Sequence, residues 1–200
     1  MKSRRYRKKG FFAGNFSLSW KFLKESKDFI YVAVGIFLFF VILGSIFPVP
    51  NVLKTELLKL VKELVNSTAG MNFYQITLYI FWNNIRSAFS AMIFGIFFGL
   101  VPVIGAIFNG YLLGFVASKS VSQQGILVLW RLFPHGIFEL PAILIAMGIG
   151  MKLGSVWFLK NKLFSLKDYL VNAVRVFFFI VLPLLVVAAL IEGALITLVG

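Results

Sequence analysis

The sequence predicts an all-α fold, a polytopic transmembrane helix bundle of about five spans with an interfacial amphipathic helix after the first span. Three observations carry that prediction. Hydrophobic residues make up 60% of the 200 positions and charged residues only 14%, a composition that a conventional water-soluble domain does not adopt. Uncharged runs long enough to cross a hydrocarbon core of roughly 30 Å recur along the chain. The twenty Lys and Arg, set against seven acids for a net charge of +13, crowd the flanks of those runs, where an anionic leaflet attracts them.

Residues 1–28 form a basic N-terminal arm with nine Lys and Arg against Glu25 and Asp28. Residues 29–200 read as one transmembrane domain. The first span is expected at 29–48. The basic side from which it is entered should be cytoplasmic, and the uncharged run is longer than the apolar stretch of a cleaved leader. Pro48 and Pro50 stop it. Residues 51–66 then set Leu53, Leu57, Leu60, Val61 and Leu64 on one helical face, with Lys54, Glu56, Lys59 and Lys62 elsewhere, the pattern of a helix lying on the outer interface.

Ser87 to Ser118 carries no charge over 32 residues, too long for one upright helix. Pro102, Gly105 and Asn109 interrupt it, so two spans are expected, at 85–102 and 104–119, joined by a tight turn. A fourth is expected at 132–151 and a last one at 174–198. The stretch from Lys152 to Arg175 carries five basic residues and one acid, Asp168, and should face the cytoplasm. Parity then gives a multi-pass protein of the cell membrane with its N-terminus inside and its C-terminus outside. One true crossing plus a re-entrant hairpin near Pro102 or Pro134 keeps the same parity.

Small residues recur every fourth position in three ladders: Ser87, Ala91, Gly95, Gly99; Ala106, Gly110, Gly114, Ser118; and Ala142, Ala146, Gly150, Gly154. Residues four apart share a helix face, and small faces are where helices approach in lipid, because little hydrophobic force acts between them there. The second, third and fourth spans should form the packed centre. The bulky first span should sit at its edge. Packing within one chain is the primary reading of the ladders and a homo-oligomer seam the alternative. The aromatic residues that flank the spans, Trp157 among them, read as anchors at headgroup level.

Charges at membrane depth need partners. The polar groups expected to converge are Asn83, Asn84, Arg86, Asn109, Arg131, His135, Glu139 and Glu192. Such a centre serves either as an interhelical clamp or as a binding site for a proton, an ion or a polar solute. No catalytic residue is assigned: one His and one Glu do not make a zinc triad, and neither a nucleophile elbow nor a phosphate-cradling loop is present. Zero cysteines and one histidine leave no basis for a metal centre, and no cofactor is expected. The lipid bilayer is the expected partner, together with membrane proteins or a second copy, and the basic arm is read as a topology and lipid signal rather than a nucleic-acid site.

The stretches Asn83-Asn84-Ile85-Arg86-Ser87-Ala88-Phe89, Phe94-Gly95-Ile96-Phe97-Phe98-Gly99, Asn109-Gly110 and Pro134-His135-Gly136-Ile137-Phe138-Glu139-Leu140-Pro141-Ala142, with Glu192-Gly193 late in the chain, resemble the stage II sporulation protein M family over roughly residues 15–198. That resemblance implies a polytopic membrane protein of about five spans. In endospore formers the family's namesake works with membrane-bound peptidoglycan-degrading enzymes during septal thinning and engulfment, as a membrane scaffold. Many relatives belong to organisms that do not sporulate. The resemblance therefore implies a non-enzymatic scaffold or assembly factor, and the polar residues leave a small transporter or channel subunit as the alternative.

Overall fold

A computed structural model of the chain describes residues 10–47, 55, 59, 70–131 and 133–199, apart from the side chains at 130, 131, 133–135 and 199. All of the described regular structure is helical. The helix expected at 51–66 lies outside the described residues, except that Thr55 and Lys59 are helical and exposed.

Helix α1 (Phe11–Glu25) lies within what the sequence reads as a basic arm. It exposes Phe11, Phe12, Phe16 and Trp20. It breaks only at Ser26, whose hydroxyl donates back to the Phe22 carbonyl at 2.6 Å, and the chain continues directly into α2 (Lys27–Ile46). Helix α3 (Phe73–Ile93) starts at a reciprocal cap. The Gln75 amide donates to the Asn72 side-chain oxygen at 3.0 Å and the Asn72 amide to the Gln75 side chain at 3.0 Å, so two amides that the first turn would orphan are satisfied.

The chain reverses after the 3₁₀ turn Phe94–Ile96, where Phe98 (φ 54°) and Gly99 (φ 73°) adopt left-handed backbone. Helix α4 (Leu100–Gln124) follows at once. The helices differ in their bounds from the segments expected at 85–102 and 104–119, since α3 begins earlier and the reversal falls at 97–99. Pro102 does not break anything, because it sits in the first turn of α4, where an amide has no intrahelical acceptor.

A 3₁₀ segment (Ile126–Arg131) leads to α5 (Phe133–Ser155). After the turn at Val156–Phe158, α6 (Lys162–Val176) runs through a π turn (Phe177–Val181) into α7 (Leu182–Val199). The wide turn falls immediately before Pro183, which has no amide hydrogen to offer the preceding turn. The rod Lys162–Leu198 counts 37 residues, about 55 Å at 1.5 Å per residue.

Four described helices are long and apolar enough to cross a membrane: Lys27–Ile46, Leu100–Gln124, Gly136–Phe158 and Lys162–Leu198. Helix α3 is diluted by Asn83, Asn84 and Arg86, together with Gln75, Thr77, Ser87 and Ser90, and is not among them. It is nevertheless an integral part of the bundle. Helix α5 is the axis, with half of its apolar window buried, and it packs against α2, α3, α4 and α7. The pairs α2 with α4 and α3 with α7 lie on its two sides.

Backbone approach sets these contacts. A Cβ on Gly95 would fall on the Gly150 backbone, one on Gly154 on Phe98 and Gly99, and one on Gly148 on Ile30. On the other side, Gly110 and Gly114 of α4 meet Phe37 and Val41 of α2, and Gly44 of α2 meets Tyr111. The α4 ladder is thus the seat of α2, and the first span is half of a tight helix pair although much of its surface stays open. Ala142 and Ala146 are fully buried in the α5 core. Gly95 opposite Gly150 and Gly99 opposite Gly154 make α3 and α5 parallel. Gly193 beside Thr77, with Phe177 beside Phe89 at 5.1 Å between ring centroids, makes α3 and α7 antiparallel.

Candidate functional site

The polar groups of the bundle divide between its inside and its outside. Inside, Asn84 of α3 and Glu192 of α7 are buried, at 6% and 8% exposure. The α3–α5 offset fixed by Gly95 and Gly150 carries Asn84 to the height of Glu139, which is half-buried on α5. Glu192 lies one residue before Gly193, whose hydrogen faces the Thr77 side chain so closely that a methyl there would collide with it. Thr77 and Asn84 are two turns apart on one face of α3. The Thr77 hydroxyl oxygen and the Asn84 amide nitrogen are buried with no hydrogen-bond partner among the described residues. Helices α3, α5 and α7 pack against one another along a seam, and Asn84, Glu139 and Glu192 are residues of these three helices.

Outside, Asn83 and Arg86 face away from this seam and are exposed, as is Asn109 on α4. Asn109 turns back on its own helix and donates to the Gly105 carbonyl at 2.7 Å. Asn84 and Glu192 are thus buried and Glu139 half-buried, whereas Asn83, Arg86 and Asn109 are exposed. The reason is helical phase: Arg86 is two residues beyond Asn84 and so points to the opposite side of α3. The side chains of Arg131 and His135 lie outside the described residues. Arg86 makes no hydrogen bond or ion pair with any described residue.

A second polar site is not evident from the sequence, which reads Lys152 as the first residue of a basic loop. Lys152 is 5% exposed. Its ammonium donates to the Glu25 carbonyl at 3.0 Å and lies 4.2 Å from the Phe22 ring centroid and 5.1 Å from that of Tyr169. Glu25 ends α1, where unsatisfied carbonyls and the helix dipole attract a cation, and the two rings add cation–π attraction. One ammonium thus fastens α1 and α6 to the end of α5. The signal available in the sequence is positional, because Lys152 continues the stripe of Gly148, one turn earlier, after twelve uncharged residues, 140–151. Trp157, expected as a headgroup anchor, has a further task. Its indole N–H donates to the Ile96 carbonyl at 2.6 Å, and so clamps the α3–α4 reversal.

The two packed pairs around α5 and the buried Asn84 and Glu192 fall in a stretch, residues 33–196, that matches the family model described as Stage II sporulation protein M. The chain belongs to the stage II sporulation protein M family. In this family member the match takes in most of α2 and nearly all of α7, while α1 precedes it. An uncharacterized protein of Methanocaldococcus jannaschii is 37% identical over 73 residues, 36% of this chain, and the chain covers 41% of that relative's length. No solved structure matches this family member.

Proposed function

We propose that this stage II sporulation protein M family member is a non-enzymatic membrane scaffold or assembly factor that crosses the cell membrane five times, with α2, α3, α4, α5 and α7 as the spans. Consecutive helices alternate in direction, which supports five crossings even though α3 is polar for a span. Lys21, Lys24, Lys27, Lys152, Lys160, Lys162 and Lys167 gather at the end where α1 and α6 lie, and this supports a cytoplasmic N-terminus and an outside C-terminus.

One observation carries the scaffold reading. The helices that carry the buried Asn84 and Glu192 are tightly packed, with Gly193, next to Glu192, against the Thr77 side chain and Gly150 against the backbone of Ala91 and Met92. Groups held in that way fix an arrangement of helices. A flux assay tests the reading. Purified protein in liposomes should pass neither ions nor polar solutes, and Glu192→Gln or Glu139→Gln should lower thermal stability. Flux that either substitution abolishes while the protein stays folded would refute the scaffold.

A second reading, a small transporter or channel subunit, draws on a different observation. The Thr77 hydroxyl and the Asn84 amide nitrogen are buried without hydrogen-bond partners among the described residues, a state that normally costs free energy and that a polar guest or a water would relieve. The same liposome experiment separates the two readings.

A further inference from the structure

The outer face of α3 is open at Trp82, Asn83 and Arg86, yet it is not dressed for lipid. Asn83 and Arg86, three apart, share one side of the helix, with Trp82 next to Asn83. Arg86 is about 20 Å along α3 from its first residue and about 10 Å from its last residue. Its height falls between the Thr77–Gly193 and Phe89–Phe177 contacts, within the packed length of the bundle.

We propose that this face docks the transmembrane helix of a different membrane protein, one that carries a carboxylate near mid-span. The proposal rests on the five-crossing scaffold reading and names the chemistry of its partner. Arg86 offers a planar, permanently charged donor fork that matches a carboxylate. Asn83, less than one turn earlier, offers an amide to the remaining oxygen lone pairs. Trp82 and Phe89, exposed on either side of Arg86, would cover the pair from acyl chains.

A second copy of this chain is the poorer occupant. A symmetric α3–α3 contact brings Arg86 toward Arg86, and the described carboxyl groups within the spans face inward, Glu192 buried and Glu139 half-buried and already engaged. A lipid phosphate is poorer still on the five-crossing reading, which sets Arg86 about 10 Å from the nearer end of α3.

The chain has no cysteine, so Tyr74→Cys, at an exposed position on the same helix, takes a single fluorescent donor. The labelled full chain is placed in phosphatidylcholine vesicles with acceptor-labelled Leu-Ala helices that carry one central Glu, Gln or Lys. Energy transfer should report the Glu helix binding about tenfold tighter than the Gln helix, about 1.4 kcal/mol. Arg86→Met should erase that preference, and Arg86→Glu should transfer it to the Lys helix. Equal binding of the Glu and Gln helices would overturn the proposal, and so would a preference that survives Arg86→Met. Arg86-dependent transfer between two labelled copies would assign the face to self-association. Displacement of the Glu helix by anionic lipid would assign it to headgroups. Flux through the protein with helix discrimination intact would refute the scaffold reading alone, whereas silent liposomes without discrimination would refute the docking face alone.

Discussion

Gly150→Ala adds one methyl group to the α3–α5 seam, and its effect can be worked from the coordinates. The new carbon would lie 2.5 Å from the Ala91 carbonyl oxygen and 3.2 Å from both the Met92 Cα and its carbonyl oxygen. Nonbonded carbon atoms settle near 3.5–4.0 Å, so the two helices must part by about 1 Å there. Every atom at the contact is backbone, so no side chain can swing aside to relieve it. Overpacking of this kind costs about 1–3 kcal/mol.

Alanine also repays up to about 1 kcal/mol of helix propensity, and a control removes that contribution. Gly35 sits in α2, and a Cβ added there would meet nothing within 4 Å, so Gly35→Ala collects the propensity gain alone. The difference between the two variants isolates the seam and should be about 1–3 kcal/mol, with Gly150→Ala the less stable. Reversible unfolding in mixed micelles titrated with dodecyl sulfate, followed by tryptophan fluorescence, measures it. Two variants equal within about 0.5 kcal/mol would refute the claim that backbone contact holds α3 against α5.

Three further outcomes follow from single contacts. Lys152→Met keeps the side chain's length and removes its ammonium, so the junction of α1 with α5 should lose about 1.5–3 kcal/mol, seen as faster hydrogen exchange in α1 with α4 unaffected. Trp157→Phe keeps a ring against Phe98, whose centroid lies 6.0 Å from that of the tryptophan, and loses the bond to Ile96, for a loss of about 1 kcal/mol in the same unfolding assay. Asn72→Ala removes half of the reciprocal cap of α3 and should cost about 1 kcal/mol, with fraying confined to residues 73–76 by amide exchange.

Hydrophobic run lengths alone locate the apolar helices, because lipid and helix axis both demand long uncharged stretches. The α5 ladder is equally plain, since Gly150 and Gly154 fall at fourth positions and do meet α3 and the reversal after it. Run length misplaces α3. A search for uncharged residues begins at Ser87, whereas the helix begins where Asn72 and Gln75 satisfy each other's amides, a local hydrogen-bond signal that carries no hydrophobicity. Pro102 misleads in the same way, because a proline reads as a break unless the helix start is already known. Residue type identifies Asn84 and Glu192 but not their separation from Arg86, since two residues of phase decide which side of α3 a group faces. Lys152 is hidden because its partners come from α1 and α6, outside its own helix.

The π turn at Phe177–Val181 inserts one residue's worth of rotation between the portion of the long rod that carries Tyr169 and the portion that carries Glu192. An α-helical residue advances the helix by about 100°, so the turn acts as a fixed angular offset. Side-chain replacement within it leaves that offset in place. Removing a residue would restore an even pitch and swing Tyr169 about a quarter of a revolution off Phe22 while Glu192 stayed against α3. The azimuth of the α1–α6 pair relative to α7 is therefore set by residue count, and only insertion or deletion can retune it.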